Sequence, residues 1–211
     1  MQLILNDIGK RFRYEWVFRH LNYSFESGQS YAILGANGAG KSTLLQIIAG
    51  SMQPSEGQVM LHGKDGKPIA DDLQYAQLSW AAPYIDLIDE FTLTEAIEFQ
   101  RQFKPLLPDF DTPKLIQYLQ LEASRHKSLR YFSSGMKQRV KLGLALLSQT
   151  PIVLLDEPTM NLDAAATQWY SQTVARYTQG RLLIIASNQA HEYKNCQHHI
   201  YVGKTSATNK S

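Results

Sequence analysis

Gly35-Ala36-Asn37-Gly38-Ala39-Gly40-Lys41-Ser42-Thr43 follows the apolar run Tyr31-Ala32-Ile33-Leu34 and precedes Leu44-Leu45-Gln46-Ile47-Ile48-Ala49. The run before the loop predicts a buried strand. The run after it predicts a helix, with Gly50 where a C-cap glycine falls. Strand, glycine-rich turn and helix N-terminus in that order make a phosphate-binding loop. The glycines let successive backbone N–H groups curl around an anion, and the helix dipole adds to the site. Lys41 reaches the β- and γ-phosphates, and the Ser42 hydroxyl is a ligand for Mg2+. The competing reading, a glycine-rich surface turn with a chance lysine, does not account for the flanking strand and helix.

Outward from this loop, Leu3-Ile4-Leu5 and Val17-Phe18 predict short strands upstream, divided by turn signals such as Ser27-Gly28. Downstream, Pro54, Gly57, Gly63, Gly66 and Pro68 surround one more short strand, Val59–Leu61. Then the pattern changes. Thr92-Leu93-Thr94-Glu95 is a capping box that opens a helix to about Phe103. Thr112-Pro113 starts a second helix through Leu121, with proline at the first helical position. Ser133 precedes a third, in which Met136, Val140, Leu144 and Leu147 share one face. The strand-helix alternation then returns. Ile152–Leu155 and Leu182–Ala186 are continuously apolar, as strands covered on both faces are. Between them Asp163 caps a helix over Ala164–Gln179. The expectation is an α/β fold with a helical subdomain at about 86–148 and a polar, frayed tail at 204–211.

Two further stretches carry chemistry. Leu154-Leu155-Asp156-Glu157-Pro158 ends a buried strand with two acids, at the edge where open α/β sheets bind ligands. Beside a phosphate loop, Asp156 suits Mg2+ and Glu157 suits polarising a water. Phe132-Ser133-Ser134-Gly135-Met136-Lys137-Gln138-Arg139 opens a helix with small residues, a second anion-ready N-terminus. By itself that stretch is a weak signal, because most such sequences are simply capped helices.

Composition narrows the partners. The chain has 211 residues, enough for one domain or one with a large insertion. Hydrophobic residues make up 44% and charged residues 19%, a globular balance. A net charge of +2 gives no argument for nucleic acid. The single Cys196 excludes an intramolecular disulfide and fits a reducing cytosol. No apolar run approaches the ~18 residues of a membrane span, and the first residues lack a signal-peptide pattern, so no direct membrane insertion is expected.

Taken together, residues 2–203 resemble the ATP-binding subunit of an ABC transporter. Gly35–Thr43 matches the Walker A loop, and Leu154–Glu157 matches the end of Walker B. Ser133-Ser134-Gly135-Met136-Lys137-Gln138-Arg139 resembles the signature motif, and Asn161-Leu162-Asp163 the D-loop. Phe12 lies 29 residues before Lys41, where the family stacks an aromatic on adenine. The resemblance implies a P-loop ABC-type core with an antiparallel N-terminal β-subdomain. The RecA-like core would be about 1–85 and 149–203. It implies ATP and Mg2+ as ligands, with Glu157, Asn188 and Lys41 catalytic and Ser42 and Asp156 on the metal. Phe12, the 35–43 loop and Ser133, Ser134 and Gly135 would bind nucleotide. The last three would face the nucleotide of a second subunit, in a homodimer or with a paired ATPase. A separate membrane permease would hold the chain on the cytoplasmic face of the cell membrane. Two positions depart from the family. Pro83 stands at the Q-loop glutamine and Asn188 at the switch histidine. They keep open a second reading, a weakly hydrolysing nucleotide-gated dimerisation module. A soluble ABC-type regulatory ATPase is the third.

Charge is uneven along the chain. Residues 124–141 carry six bases and no acid, and residues 86–98 carry five acids and no base. These read as two solvated faces, or as a nucleotide-holding basic stretch and a permease-facing acidic one. His191, His198 and His199 lack ligand spacing and read as surface residues. Cys196 reads as an inert, partly buried thiol.

Overall fold

The computed structural model describes residues 1–203 and 208–209. Its elements in chain order are β1 (Gln2–Phe12), β2 (Glu15–Glu26), β3 (Ser30–Leu34), α1 (Lys41–Ile48), β4 (Glu56–His62), α2 (Asp71–Gln74), β5 (Leu78–Ala81), α3 (Leu93–Phe103), α4 (Thr112–Tyr118), α5 (Ser134–Leu146), β6 (Ile152–Asp156), α6 (Ala164–Tyr177), β7 (Leu182–Ala186), α7 (Ala190–Tyr193), β8 (His198–Tyr201) and β9 (Thr208–Asn209). Strands β2-β1-β4 form an antiparallel sheet. The second sheet runs β5-β6-β7-β3-β8-β9 and is parallel except for β9. The fold is α/β.

Side-chain alternation explains why the central strands are apolar throughout. Ile152 and Leu154 of β6, with Leu182 and Ile184 of β7, face one core, which they share with β1, β2 and α1. Val153, Leu155, Leu183 and Ile185 face the other, shared with α3, α4, α5 and α6. Successive residues of a strand point to opposite faces, so a sheet with two covered faces needs apolar residues at every position. Each such side chain contributes roughly 1.5–3 kcal/mol on burial.

The elements differ from expectation in length and number. β1, β2 and β4 are longer than the apolar cores that mark them, because backbone pairing carries them through polar residues such as Asn6, opposite Gln58, and Ser24, opposite Ile4. β5 and β8 were not anticipated. Leu78-Ser79-Trp80-Ala81 is short and mixed, and His198-His199 hides the pattern of a strand beside β3. α4 stops at Tyr118 instead of Leu121, since Gln120 turns left-handed at φ 58°. α6 stops at Tyr177 before Gly180, whose φ is 74°. Within the tail expected at 204–211, Thr208 pairs with Tyr201 and Asn209 with Ile200. Its remaining residues, 204–207 and 210–211, lie outside the described residues.

Candidate functional site

Three parallel strands end side by side. Asp156 of β6 is paired with Ala186 of β7, and Ala186 with Ile33 of β3. The chain leaving each strand therefore gathers at one sheet edge: the 35–43 loop after β3, Glu157 after β6, and Asn188 after β7. The loop needs its glycines. Gly35, Gly38 and Gly40 all have positive φ, and a Cβ on Gly40 would lie 2.4 Å from Val17. Lys41 begins α1 and is 6% exposed. Its Nζ donates to the Gly35 and Ala36 carbonyls, at 3.0 and 3.3 Å, so the ammonium sits inside the loop. Asn37 in the exposed part of the loop accepts from the Asn188 amide. Ala39 N–H closes a turn on Ala36 O. Ser42 and Thr43 are half-buried in the first turn of α1.

Asp156 is buried, and one of its oxygens, Oδ1, has no hydrogen-bond partner. The other, Oδ2, accepts from the Tyr84 hydroxyl at 2.9 Å. Burial raises the Asp156 pKa, opposed by the nearby Ser42 hydroxyl, the Tyr84 hydrogen bond and the Lys41 charge, with Glu192 adding to the rise. Glu157 is half-buried in left-handed backbone at φ 43°, a conformation that costs energy in a non-glycine residue. Its N–H donates to Ala186 O at 2.9 Å, which fixes the turn out of β6. Burial raises the Glu157 pKa too, with Glu192 and Asp156 adding to the rise and Lys41 opposing it. A divalent cation fits these donors. Hard cations take carboxylate and hydroxyl oxygens, and a buried carboxylate oxygen without a partner is otherwise costly.

Not every candidate joins this cluster. Phe12 ends β1 with its ring 49% exposed and the Lys10 ammonium 5.2 Å from the ring centroid. Ser133 caps α5 through Met136 N–H, and Ser133 and Ser134 are exposed. No hydrogen bond joins them to the 35–43 loop among the described residues. Instead the start of α5 packs on the 158–161 turn. Gln138 donates to Pro158 O at 2.8 Å, and a Cβ on Gly135 would come within 2.8 Å of Asn161 O.

Asn188 does not cap its own turn: the Ser187 hydroxyl does, accepting from Gln189 N–H at 2.8 Å. The Asn188 side chain is thereby left to the loop. Pro83 offers no side-chain donor, and its neighbour Tyr84 reaches the site instead. Glu192 was also missed. Its carboxylate is buried and accepts from Thr159 N–H at 2.7 Å and from the hydroxyls of Thr159 and Ser187. It thus ties the turn before Asn188 to the turn after Glu157. A lone glutamate four residues past Asn188 gives no sequence signal of this. Tyr84, an aromatic beside a position where a polar group was expected, gave a faint one.

The two charged stretches meet each other. Lys137 Nζ binds Asp89 at 2.6 Å and Arg130 binds Glu90 at 2.9 Å, so two of the six bases and two of the five acids are paired with each other. His191 bonds the Thr159 hydroxyl, and His198 stacks on Tyr31. Cys196 is a free thiol whose pKa burial pushes up to about 12.

Comparison with known proteins matches this arrangement. The model of the ABC transporter family matches residues 18–160. The chain is 32% identical over 167 residues to a sulfate/thiosulfate import ATP-binding protein of a Synechocystis species, covering 78% of this chain and 46% of that one. It is 31% identical over 189 residues to a cytochrome c biogenesis ATP-binding export protein of Mesorhizobium japonicum, covering 89% and 91%. Among solved structures, a dimeric bacterial ABC transporter cassette superposes with a TM-score of 0.84 at 21% identity, over 99% of this chain and 98% of that one. The chain spans less than half the length of several curated relatives that it matches. The family match runs through the phosphate-type loop and both strand-end acids and covers more than half of the chain, and the chain accordingly belongs to the ABC transporter family.

Proposed function

We propose that this chain binds and hydrolyses ATP, and that hydrolysis drives transport by a separate membrane permease. The observation that carries the reading is the meeting of the 35–43 loop, Asp156 and Glu157 at one sheet edge, with Asp156 Oδ1 buried and unpartnered. Phosphate oxygens would take the Lys41 ammonium from the Gly35 and Ala36 carbonyls, exchanging neutral acceptors for charged ones. Ser42 and Asp156 would hold Mg2+, which when bound neutralises charge on the transferring phosphoryl group. Glu157 polarises the attacking water and takes its proton. The new P–O bond forms as the β–γ bridging bond breaks and ADP leaves. Its raised proton affinity suits it to that task.

Phe12 would stack on adenine with its exposed ring. Ser133 and Ser134, exposed, and Gly135, half-buried, share no hydrogen bond with the 35–43 loop among the described residues and suit a nucleotide held by a second subunit, identical or paired. Residues 86–148 would form the helical subdomain inserted between the core segments 1–85 and 149–203. The docked chain would lie at the cytoplasmic face of the membrane. A weakly hydrolysing module remains the second reading, favoured by Asn188 at the switch position. Phosphate release from Mg·ATP, compared between wild type and Lys41→Ala, tests the proposal. Turnover lost together with ATP affinity in Lys41→Ala supports it. ATP affinity unchanged in calorimetry overturns it, and single-turnover release too slow to detect in the wild type selects the second reading.

A further inference from the structure

Tyr84 occupies an unusual place. The residue is 43% exposed, yet its hydroxyl reaches into the site and donates to Asp156 Oδ2 at 2.9 Å. The backbone that carries it is fixed from two sides. Lys141 Nζ donates to Ala82 O at 3.1 Å and Pro83 O at 3.4 Å, and Ile85 N–H closes a turn on Ala82 O at 3.2 Å. The ring packs edge-on against Trp80, with centroids 5.6 Å apart. Asp156 itself is 1% exposed, and its second oxygen has no partner. A carboxylate with neither oxygen held turns about its own bond. One held by a single donor keeps the other oxygen in place.

We infer that Tyr84 is the positioning residue of the divalent-cation site, its hydroxyl holding one oxygen of Asp156 so that the other stays free for the ion. The inference rests on the ATP reading of the site. It goes beyond that reading by assigning a role to a residue outside the glycine-rich loop and the strand-end acids. Proline at 83 is then no defect of this chain. It presets the backbone from which the next residue supplies the hydrogen bond. Outer partners that orient a metal ligand typically change metal affinity by 10–100-fold when removed.

Tyr84→Phe keeps the ring and its packing on Trp80 and deletes only the hydroxyl. Calorimetry with the non-hydrolysable imido analogue of ATP, once in EDTA and once as its Mn2+ complex, separates metal from phosphate recognition. In the wild type the metal complex binds more tightly. In Tyr84→Phe the EDTA affinity stays within about twofold, the melting temperature holds, and the gain from metal shrinks by about 10–100-fold. A metal gain equal to that of wild type overturns the inference. So does an equal fall of both affinities, which would make Tyr84 a wall of the pocket only. A wild-type protein that binds the analogue with no gain from metal would overturn the cation reading itself, a failure distinct from either.

Discussion

Asn188 shows how much one side chain decides. With Ser187 capping the turn, the Asn188 amide is committed to Asn37 across the loop. An amide donates and accepts hydrogen bonds but does not ionise near neutrality, unlike histidine with its pKa near 6.5. Loss of one preorganised donor in such a site costs about 3 kcal/mol in the barrier, roughly a hundredfold in rate. Asn188→Ala is therefore expected to lose most of its turnover while keeping ATP affinity and melting temperature. Asn188→His stays active and gains a pH dependence near neutrality. Steady-state phosphate release and calorimetry on the same preparation check both. A fall in melting temperature at constant turnover per folded molecule would return Asn188 to a structural role. The loop residues and both acids were legible in the sequence because each needs a particular chemistry at a particular spacing. Tyr84 and Glu192 were not, because their contacts cross 72 and 33 positions of the chain and follow from folding alone.

At the scale of the element, local rules worked where the helix ends are satisfied locally. The box at 92–95 formed as expected, with Thr92 N–H and Oγ1 bonding the Glu95 carboxylate at 2.8 and 2.9 Å and Glu95 N–H returning to Thr92. These bonds hold the Glu95 carboxyl below its ordinary range. A depressed folded pKa gives stability that is present above the unfolded value and lost as pH falls through the folded one. Glu95→Gln is thus expected to lower the melting temperature at pH 7, with the difference from wild type closing below about pH 4. A difference independent of pH would mean that the charge is irrelevant and only the backbone cap matters. Packing between elements was less visible. Gly143 in α5 looks like a mere helix weakness, yet a Cβ there would meet Leu119 Cδ2 at 2.5 Å. Gly143→Ala should cost about 1–3 kcal/mol in chemical denaturation despite its better helix propensity. A stabilised variant would show that α5 and the end of α4 shift apart freely.

Across the whole molecule, the sequence showed two cores only indirectly, through strands apolar at every position. The short strands β5 and β8 were hidden, since their partners β6 and β3 are distant in the chain. Asp89 and Glu90 are engaged by Lys137 and Arg130, so reversing them would disturb the helical region as well as any docking surface. Asp86 is exposed and in no ion pair among the described residues, which makes it the cleaner probe. Asp86→Asn is expected to reduce sedimentation with membranes that hold the permease, while hydrolysis by the isolated chain stays within about twofold. Equal loss of both would assign Asp86 to the fold.

The exposed Ser133 and Ser134 at the start of α5, which make no hydrogen bond to the chain's own 35–43 loop among the described residues, lead to the prediction that two chains close on the nucleotide. Glu157→Gln keeps the shape of the side chain and removes the base, so a closed pair should persist. Size-exclusion chromatography with light scattering on Glu157→Gln, with and without Mg·ATP, is the most direct measurement. A monomer that becomes a dimer only with nucleotide, and fails to do so when Ser133→Arg is added, is the result predicted here. A Glu157→Gln protein of the same mass with and without nucleotide would contradict the shared site on which the whole account rests.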